Sequence, residues 1–273
     1  MKDKVLPMND ILKSIKKTLF IPIHPAGFPF IAISILLMVI LMKLSCTLGF
    51  VGLVVACWCI YFFRNPVRAT PVREGLVISP ADGRVQMIVE AELPPELADA
   101  KEASDKLFES EKVTRVSVFL NVFNVHINRI PINGEIKKVV YHPGKFFNAD
   151  LDKASIHNER STVLIKPEGK SDSIAFVQIA GLIARRIICQ LKAGEIVKAG
   201  NIYGLIRFGS RVDIYLPNGV KPLVSVGQTM IGGETVIADF NATEDTRTAE
   251  DRGNKETPKV AEQEVQTNDS NAN

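Results

Sequence analysis

The hydrophobic pattern divides the chain into an apolar N-terminal part and a longer part of short alternating segments. Residues 28–63 are almost wholly apolar, and Lys43 is the only charged residue among them. From about residue 75 to residue 240, short apolar alternations are separated by Gly, Pro and Asn, which is typical of a mainly β domain. The predicted strands are Arg84–Ala91, Val113–Phe119, Glu135–Val140, Ser161–Ile165, Ile174–Ala180, Ile202–Phe208, Arg211–Leu216 and Thr235–Phe240.

The apolar run is long enough to enter a membrane in either of two ways. A single span needs about 20 residues, and Leu44–Phe63 meets that length. The alternative is a hairpin of Phe28–Met42 and Phe50–Phe63 with residues 43–49 at its tip, whose short arms either cross or dip into the bilayer. Basic residues flank both ends of the run, so the positive-inside rule places both flanks on the cytoplasmic face. That placement favours the hairpin.

The segments that flank the anchor and the β domain are polar. Residues 1–27 alternate lysines with apolar residues at helical spacing, which predicts a basic amphipathic helix on an anionic membrane surface or on the globular domain itself. Arg64, Arg68 and Arg73 follow the apolar run and are expected near anionic lipid headgroups, or serve only to fix topology. Residues 241–273 carry eight acidic and four basic residues, which predicts a disordered tail.

Composition narrows the function classes. The net charge of +3 gives no reason to expect a nucleic-acid partner. Four cysteines and four histidines, with no CxxC pair, argue against a disulfide scaffold and a metal centre.

A weak internal repeat lies in the β part. The segments Gly194–Gly200 and Gly227–Gly233 share glycines at both ends and an apolar residue three positions in, at an offset of 33. Two related turns of a barrel-like β-sandwich would produce this pattern, and they resemble the turns of lipoyl- and biotinyl-type domains. Neither turn carries a lysine in the Met-Lys context of those carriers, so a carrier role is not supported.

The candidate chemistry lies at Gly209-Ser210, which interrupts strand-forming residues on both sides. Glycine inside a strand marks a bulge or a close backbone approach. In a strained turn the serine hydroxyl can attack the preceding carbonyl, which glycine leaves sterically open. The resulting ester is cut by elimination, and the serine remnant becomes a pyruvoyl group. That carbonyl forms a Schiff base with a substrate amine and withdraws electrons, so that a carboxylate leaves as CO2.

Seven ordered blocks then give a specific resemblance. They are Pro25-Ala-Gly-Phe-Pro-Phe, Tyr61-Phe-Phe-Arg-Asn-Pro66, Ser79-Pro-Ala-Asp-Gly-Arg-Val85, residues 119–129, His142-Pro-Gly-Lys-Phe146, Asn158-Glu-Arg160 and Phe208-Gly-Ser-Arg-Val-Asp213. From Pro22 to Phe240 the chain resembles the short, membrane-associated form of phosphatidylserine decarboxylase.

The resemblance implies a self-cleaving zymogen. Cleavage between Gly209 and Ser210 would give a β chain of residues 1–209 and an α chain of residues 210–273 that begins with the pyruvoyl group. The implied reaction converts phosphatidylserine to phosphatidylethanolamine and CO2, and the resemblance suggests a homo-oligomer of unspecified size. The basic flanks predict that the reaction takes place on the cytoplasmic face of the cell membrane, and the composition predicts no metal. The domain boundaries that follow are 1–27, 28–63, 64–240 and 241–273.

The resemblance also implies the assisting residues. Asp82 belongs to the Asp/His/Ser set that drives processing in the family, and His126 matches the first histidine of a His-x-x-His motif. Arg129 stands where the second histidine is expected, so either His126 does both jobs or another group, His142 or His157, activates Ser210. Arg129 is a candidate ligand for the substrate phosphate or carboxylate.

Two alternatives remain open at this point. One keeps the chemistry but changes the substrate to an ether-linked archaeal-type serine lipid or a soluble amino acid. The other is a non-enzymatic, membrane-anchored lipoyl-like binding module, which predicts an uncut chain with no need for Ser210.

Overall fold

The fold is mainly β with apolar helices at the N-terminal side, as the pattern predicts. A computed structural model describes residues 21–97, 112–147, 157–182, 186–207 and 209–242. The predicted basic helix within 1–27 falls mostly outside these residues. Nearly all of the predicted tail also falls outside them.

The apolar run forms two antiparallel helices. A 3-10 turn at Pro25–Gly27 leads into α1 (Phe28–Leu44), and α2 (Cys46–Phe62) follows. The predicted tip of residues 43–49 is wrong, because Ser45 alone connects the helices. Ser45 is extended (φ −164°, ψ 140°), and its Oγ accepts the N–H of Thr47 at 3.3 Å. This cap lets α2 begin directly after the turn.

Small residues bring the two helices together. A Cβ atom at Gly49 would lie 2.8 Å from the Cα of Met42, and one at Gly52 would lie 2.8 Å from the Cα of Met38. Close helix contacts of this kind depend on small side chains. Most other apolar side chains of the hairpin are exposed, and the stretch Pro25–Leu44 is long and apolar enough to cross a membrane. The hairpin therefore presents its apolar surface outwards instead of to the β domain.

Thirteen strands are found in the described residues. Eight form one sheet in the order β12-β2-β3-β11-β7-β6-β5-β9, which curls into half a barrel; β4-β10-β8 and β1-β13 form two smaller sheets. The strands are β1 (Leu76–Ile78), β2 (Gly83–Glu92), β3 (Lys112–Leu120), β4 (Ile127–Arg129), β5 (Gly134–His142), β6 (Arg160–Pro167), β7 (Ile174–Ala180), β8 (Ile187–Cys189), β9 (Ile196–Val197), β10 (Ile202–Ile206), β11 (Ser210–Leu216), β12 (Thr229–Met230) and β13 (Val236–Asp239).

The glycine repeat corresponds to a structural repeat. Gly194 and Gly227, which begin the two segments, have φ values of +86° and +87°. Each is followed at the same spacing by a two-residue strand, β9 or β12. The two turns are therefore built alike, as the repeat predicts.

The base of the hairpin packs on the β domain. Phe62 and Phe63 at the end of α2 are buried with Leu205 of β10. Strand β11 lies in the middle of the large sheet between β3 and β7, and all seven of its residues are buried. The first residue of this central strand is Ser210, so the fold places the Gly-Ser pair where β10 ends near the hairpin base.

Candidate active site

Gly209 and Ser210 join β10 to β11 through a left-handed glycine. Gly209 has φ +72°, in the left-handed region, and nothing lies within 4 Å of where a Cβ would stand. Its carbonyl oxygen accepts the N–H of Gly181 at 3.2 Å. The Ser210 side chain is fully buried, and its Oγ has no hydrogen-bond partner among the described residues. A buried hydroxyl without a partner is costly, and such groups call for a functional explanation.

His126 lies beside this pair. Its Nδ1 lies 3.0 Å from the carbonyl oxygen of Asn124, and its Nε2 accepts the N–H of Gly209 at 3.2 Å. These two contacts fix the tautomer with the hydrogen on Nδ1. Burial lowers the pKa of His126 to about 4. The imidazole is therefore neutral at pH 7, with Nε2 as its basic atom.

Asp82 is held apart from His126 in the uncut chain. Its carboxylate accepts Arg68 Nη2 at 2.6 Å and the N–H of Gly232 at 2.7 Å. Burial raises the pKa of Asp82, and Arg68 acts against that shift. No hydrogen bond or ion pair joins Asp82 to His126 in the described part of the chain. The family resemblance places both residues in one set, whereas in the structure the charge of Arg64 acts on both.

The arginines near the hairpin base bind protein groups. Arg129 donates to the carbonyl oxygens of Gly200 and Pro66 and to Asn65 Oδ1, at 2.9 to 3.2 Å. It therefore ties the segment after the hairpin to the β domain. Arg64 donates to the carbonyl oxygens of Tyr61 and Phe123. Arg73 pairs with Asp239 at 2.5 Å, and its side chain is 65% exposed.

The other two candidate histidines lie elsewhere. His142 Nδ1 is 3.8 Å from a Glu96 oxygen, and the His142 side chain is 44% exposed. His157 is exposed and meets the ring of Phe147 edge-on. No contact joins either ring to Ser210 in the parts of the chain that the structure describes. Of the candidates, His126 is the one that the fold brings to the Gly-Ser pair.

Comparison with known proteins decides the family. The model of the phosphatidylserine decarboxylase family matches residues 55–238, more than half of the chain. The chain belongs to the phosphatidylserine decarboxylase family. A phosphatidylserine decarboxylase proenzyme of Rickettsia felis is 56% identical over 222 residues, which cover 81% of this chain and 92% of that protein. One from Paramagnetospirillum magneticum is 52% identical over 240 residues, covering 88% and 95%.

Membership of the phosphatidylserine decarboxylase family makes the chain an enzyme and removes the non-enzymatic module from consideration. The matched range contains Asp82, His126, Gly209 and Ser210. The geometry described above is that of the uncut chain, since Ser210 is joined to Gly209 and paired with Leu120 and Ala180 across the sheet.

Three contributors to the site were not predicted from the sequence as site residues. The Gly181 N–H follows β7, and the Asn124 carbonyl lies in a turn before β4; backbone groups of this kind leave no side-chain signal. Phe62 stacks on the His126 ring with centroids 4.3 Å apart. Its block, Tyr61-Phe-Phe-Arg-Asn-Pro66, carries part of the family resemblance, but only the fold shows which histidine it meets.

Proposed function

We propose that this chain is a self-processing, pyruvoyl-dependent decarboxylase that converts phosphatidylserine to phosphatidylethanolamine and CO2. The observation that carries the proposal is the buried, unpartnered Ser210 hydroxyl, directly after a left-handed Gly209 whose amide is bonded to a neutral histidine. A pyruvoyl precursor needs a hydroxyl free to react, a preceding residue without a side chain that shields its carbonyl, and an adjacent base. The residues at the site therefore fit the group that the family implies.

Self-cleavage begins with the attack of Ser210 Oγ on the Gly209 carbonyl carbon. In the proposed step His126 Nε2 exchanges its bond to the Gly209 N–H for the Ser210 proton. The Gly181 N–H, already bonded to the Gly209 oxygen, stabilises the negative charge that develops there. His126 passes the hydroxyl proton to the Ser210 nitrogen as the C–N bond breaks, and an ester forms.

Elimination then separates the chains. In the proposed step a base, His126 Nε2, takes the Ser210 Cα proton and the Gly209 carboxylate leaves from the Ser210 Cβ, which leaves a dehydroalanine at the start of the α chain. One water molecule converts it to the pyruvoyl group and releases ammonia. The finished group supplies an electron-accepting carbonyl that binds the substrate amine. His126 holds and returns a proton at Nε2, and its burial limits competing water.

The proposed role of Asp82 is electrostatic. Arg64 lies close enough to lower the pKa of His126, and Arg68 and Arg129 act in the same region. The Asp82 carboxylate offsets this positive charge. The carboxylate thereby keeps His126 Nε2 basic enough to take a proton, although it makes no hydrogen bond to the imidazole ring among the described contacts.

The location of the site favours a lipid substrate over a soluble amino acid. The Gly-Ser pair follows β10, whose Leu205 packs under the hairpin with Phe62 and Phe63. Each helix of 17 residues is about 25 Å long, which is close to the thickness of the bilayer core. A serine headgroup at the cytoplasmic surface would meet the site at this level. The ether-linked serine lipid remains the second candidate, because the acyl region would contact the hairpin and not the site.

The intact masses of the purified chains under denaturing conditions test processing. The wild type, inserted in vesicles, should give two chains, of which the smaller is residues 210–273 and about 17 Da lighter than a peptide that begins with serine. Ser210→Ala should stay whole. An uncut wild-type chain would refute the proposal.

Carbon dioxide release then tests the substrate. Vesicles with the serine carboxyl group labelled in diacyl phosphatidylserine should release labelled CO2 with the wild type and none with Ser210→Ala. The ether-linked serine lipid and free serine, labelled in the same position, are the comparison substrates. If the ether-linked serine lipid or free serine reacted faster than phosphatidylserine, that compound would be assigned as the substrate instead.

A further inference from the structure

The membrane hairpin contributes one side chain to the surroundings of His126. Phe62, at the end of α2, is 1% exposed, and its ring stacks on the imidazole with centroids 4.3 Å apart and planes at 29°. Phe62 also contacts Trp58, one turn earlier in α2, with ring centroids 5.4 Å apart. The wall that covers one face of the site histidine therefore belongs to the anchor.

The next residue, Phe63, gives a natural comparison. It is 2% exposed, and Phe62 and Phe63 contact each other edge-on at 5.0 Å. Phe63 stacks instead on Phe30 of α1, with centroids 5.4 Å apart. The two phenylalanines share their burial and their cluster, but the stacking partner of Phe62 is His126 and that of Phe63 is Phe30.

We propose that Phe62 is a positioning residue for self-cleavage: its ring holds the His126 imidazole in the orientation in which Nε2 points at Gly209. The inference rests on the proposed function, because it assigns a partner to the base of that reaction. The imidazole is otherwise fixed by two hydrogen bonds, one at Nδ1 and one at Nε2. Both bonds lie near the plane of the ring, so neither stops water from approaching its faces.

The stacked ring also keeps His126 dry. Burial is the main reason for its low pKa, and Arg64 is the charged group that acts in the same direction. Asn124 and Gly209 face the imidazole with uncharged backbone groups. Loss of the Phe62 ring would admit water to one face. The histidine would then bind protons nearer its ordinary pH range.

Processing kinetics of Phe62→Leu and Phe63→Leu test this inference. Each chain is synthesised in a cell-free system with phospholipid vesicles and radiolabelled methionine, then shifted to a series of pH values. Label enters both products, since Met87 and Met230 lie on opposite sides of the cut. Phe62→Leu should slow processing about tenfold at pH 7. Below about pH 6.5 its rate should fall further, while the wild-type rate stays level to about pH 5.

The matched variant separates positioning from general packing. Phe63→Leu removes an equally buried ring from the same cluster and should process within about twofold of the wild type, with a level pH profile. Thermal unfolding of each substitution in the Ser210→Ala chain shows whether it folds. If the Phe62→Leu chain does not fold, Phe62→Met replaces it, because the longer and more flexible methionine side chain adapts to the space that the ring leaves.

Equal rates and equal pH profiles for the folded Phe62 and Phe63 variants would overturn the inference and leave the proposed function intact. Continued cleavage of the Ser210→Ala chain would overturn the proposed function, and this inference with it.

Discussion

Two polar groups near the hairpin base, the buried His126 and the partly buried Asp82, are surrounded in opposite ways. His126 is neutral, and its partners are a backbone carbonyl, a backbone amide and an aromatic ring. Asp82 is bonded to the Arg68 guanidinium and to a backbone amide, with Arg64 and Arg129 close enough to interact with its charge. His126 is therefore able to exchange a proton, whereas Asp82 is fixed by its ion pair with Arg68.

The difference shows that the contact region between the hairpin base and the β domain combines a fixed charge cluster with a group suited to proton transfer. A carboxylate with a short ion pair and an amide donor is costly to disturb, so the Asp82 cluster suits a fixed structural and electrostatic role. A histidine with a depressed pKa and an acceptor atom beside the reacting bond suits proton transfer. If Asp82 bonded His126 directly, the two sites would respond alike to mutation and to pH. The following predictions separate them.

The largest expected effect is on processing by His126→Asn. Removal of the base should slow cleavage by at least about a hundredfold, because Nε2 has no substitute at Gly209. His142→Asn is the matched control and should be processed at the wild-type rate, since the side chain is half exposed and lies by Glu96. Gel analysis of the uncut fraction over time measures both. Rapid cleavage of a folded His126→Asn chain would assign the base elsewhere.

The second effect concerns stability in acid. The pKa of His126 is about 4 in the folded chain, against an ordinary value of 6.5. The unfolded chain thus binds a proton more readily. The stability from this group is complete above about pH 6.5 and is lost as the pH falls towards 4, by on the order of 3 kcal/mol. The thermal midpoint of the uncut Ser210→Ala chain in detergent should fall over this range.

The control for the acid effect is His126→Asn in the same Ser210→Ala chain, which should lose much less stability between pH 6.5 and pH 4. Asp82 contributes with the opposite sign. Its raised pKa gives stability that is present at low pH and is lost as the pH rises through its folded value. A free energy of unfolding that increased on acidification would show that Asp82, and not His126, dominates the pH dependence of stability.

The smallest effect is that of Asp82→Asn on processing. Without the carboxylate, the positive charge around Arg64 is less compensated and Nε2 becomes a weaker base, so cleavage should slow about tenfold. Asp239→Asn breaks an ion pair with Arg73 outside this cluster and should leave the processing rate unchanged. Cleavage rates measured side by side at pH 7 test the pair. A loss as severe as that of His126→Asn would mean that Asp82 acts on the base directly.

Much of the architecture could be predicted from the sequence. The apolar run and the alternation gave the hairpin and the long strands, since burial on one or both faces leaves a strong periodic signal. The predicted strand Ile174–Ala180 has the same bounds as β7 in the structure. The strands of two or three residues, such as β9 and β12, were not predicted as strands, because two residues carry no periodicity. The connection at Ser45 was not predicted, because a one-residue turn between helices depends on the hydrogen bond from the Thr47 N–H to the Ser45 Oγ.

The candidate site was predictable only in part. Gly209 and Ser210 were predicted because the pair interrupts strand-forming residues; the family resemblance made this weak signal specific and added Asp82 and His126. The separation of Asp82 from His126 could not be predicted, because it depends on how the segment after the hairpin lays Arg68 against Asp82. The sequence predicts Arg129 as a ligand for the substrate phosphate or carboxylate, and this stays a prediction; its hydrogen bonds to Asn65, Pro66 and Gly200 could not be predicted, because they depend on the tertiary fold.

The central position of β11 has a consequence for the products of a cut before Ser210. Strand β11 is bordered on both sides by strands of the N-terminal piece, β3 and β7, and β12 and β13 pair with β2 and β1. The C-terminal piece therefore forms no sheet of its own among the described strands. Breaking one peptide bond removes none of these pairings, so the two products would remain a single folding unit, interleaved strand by strand, with neither half able to serve as a separate subunit.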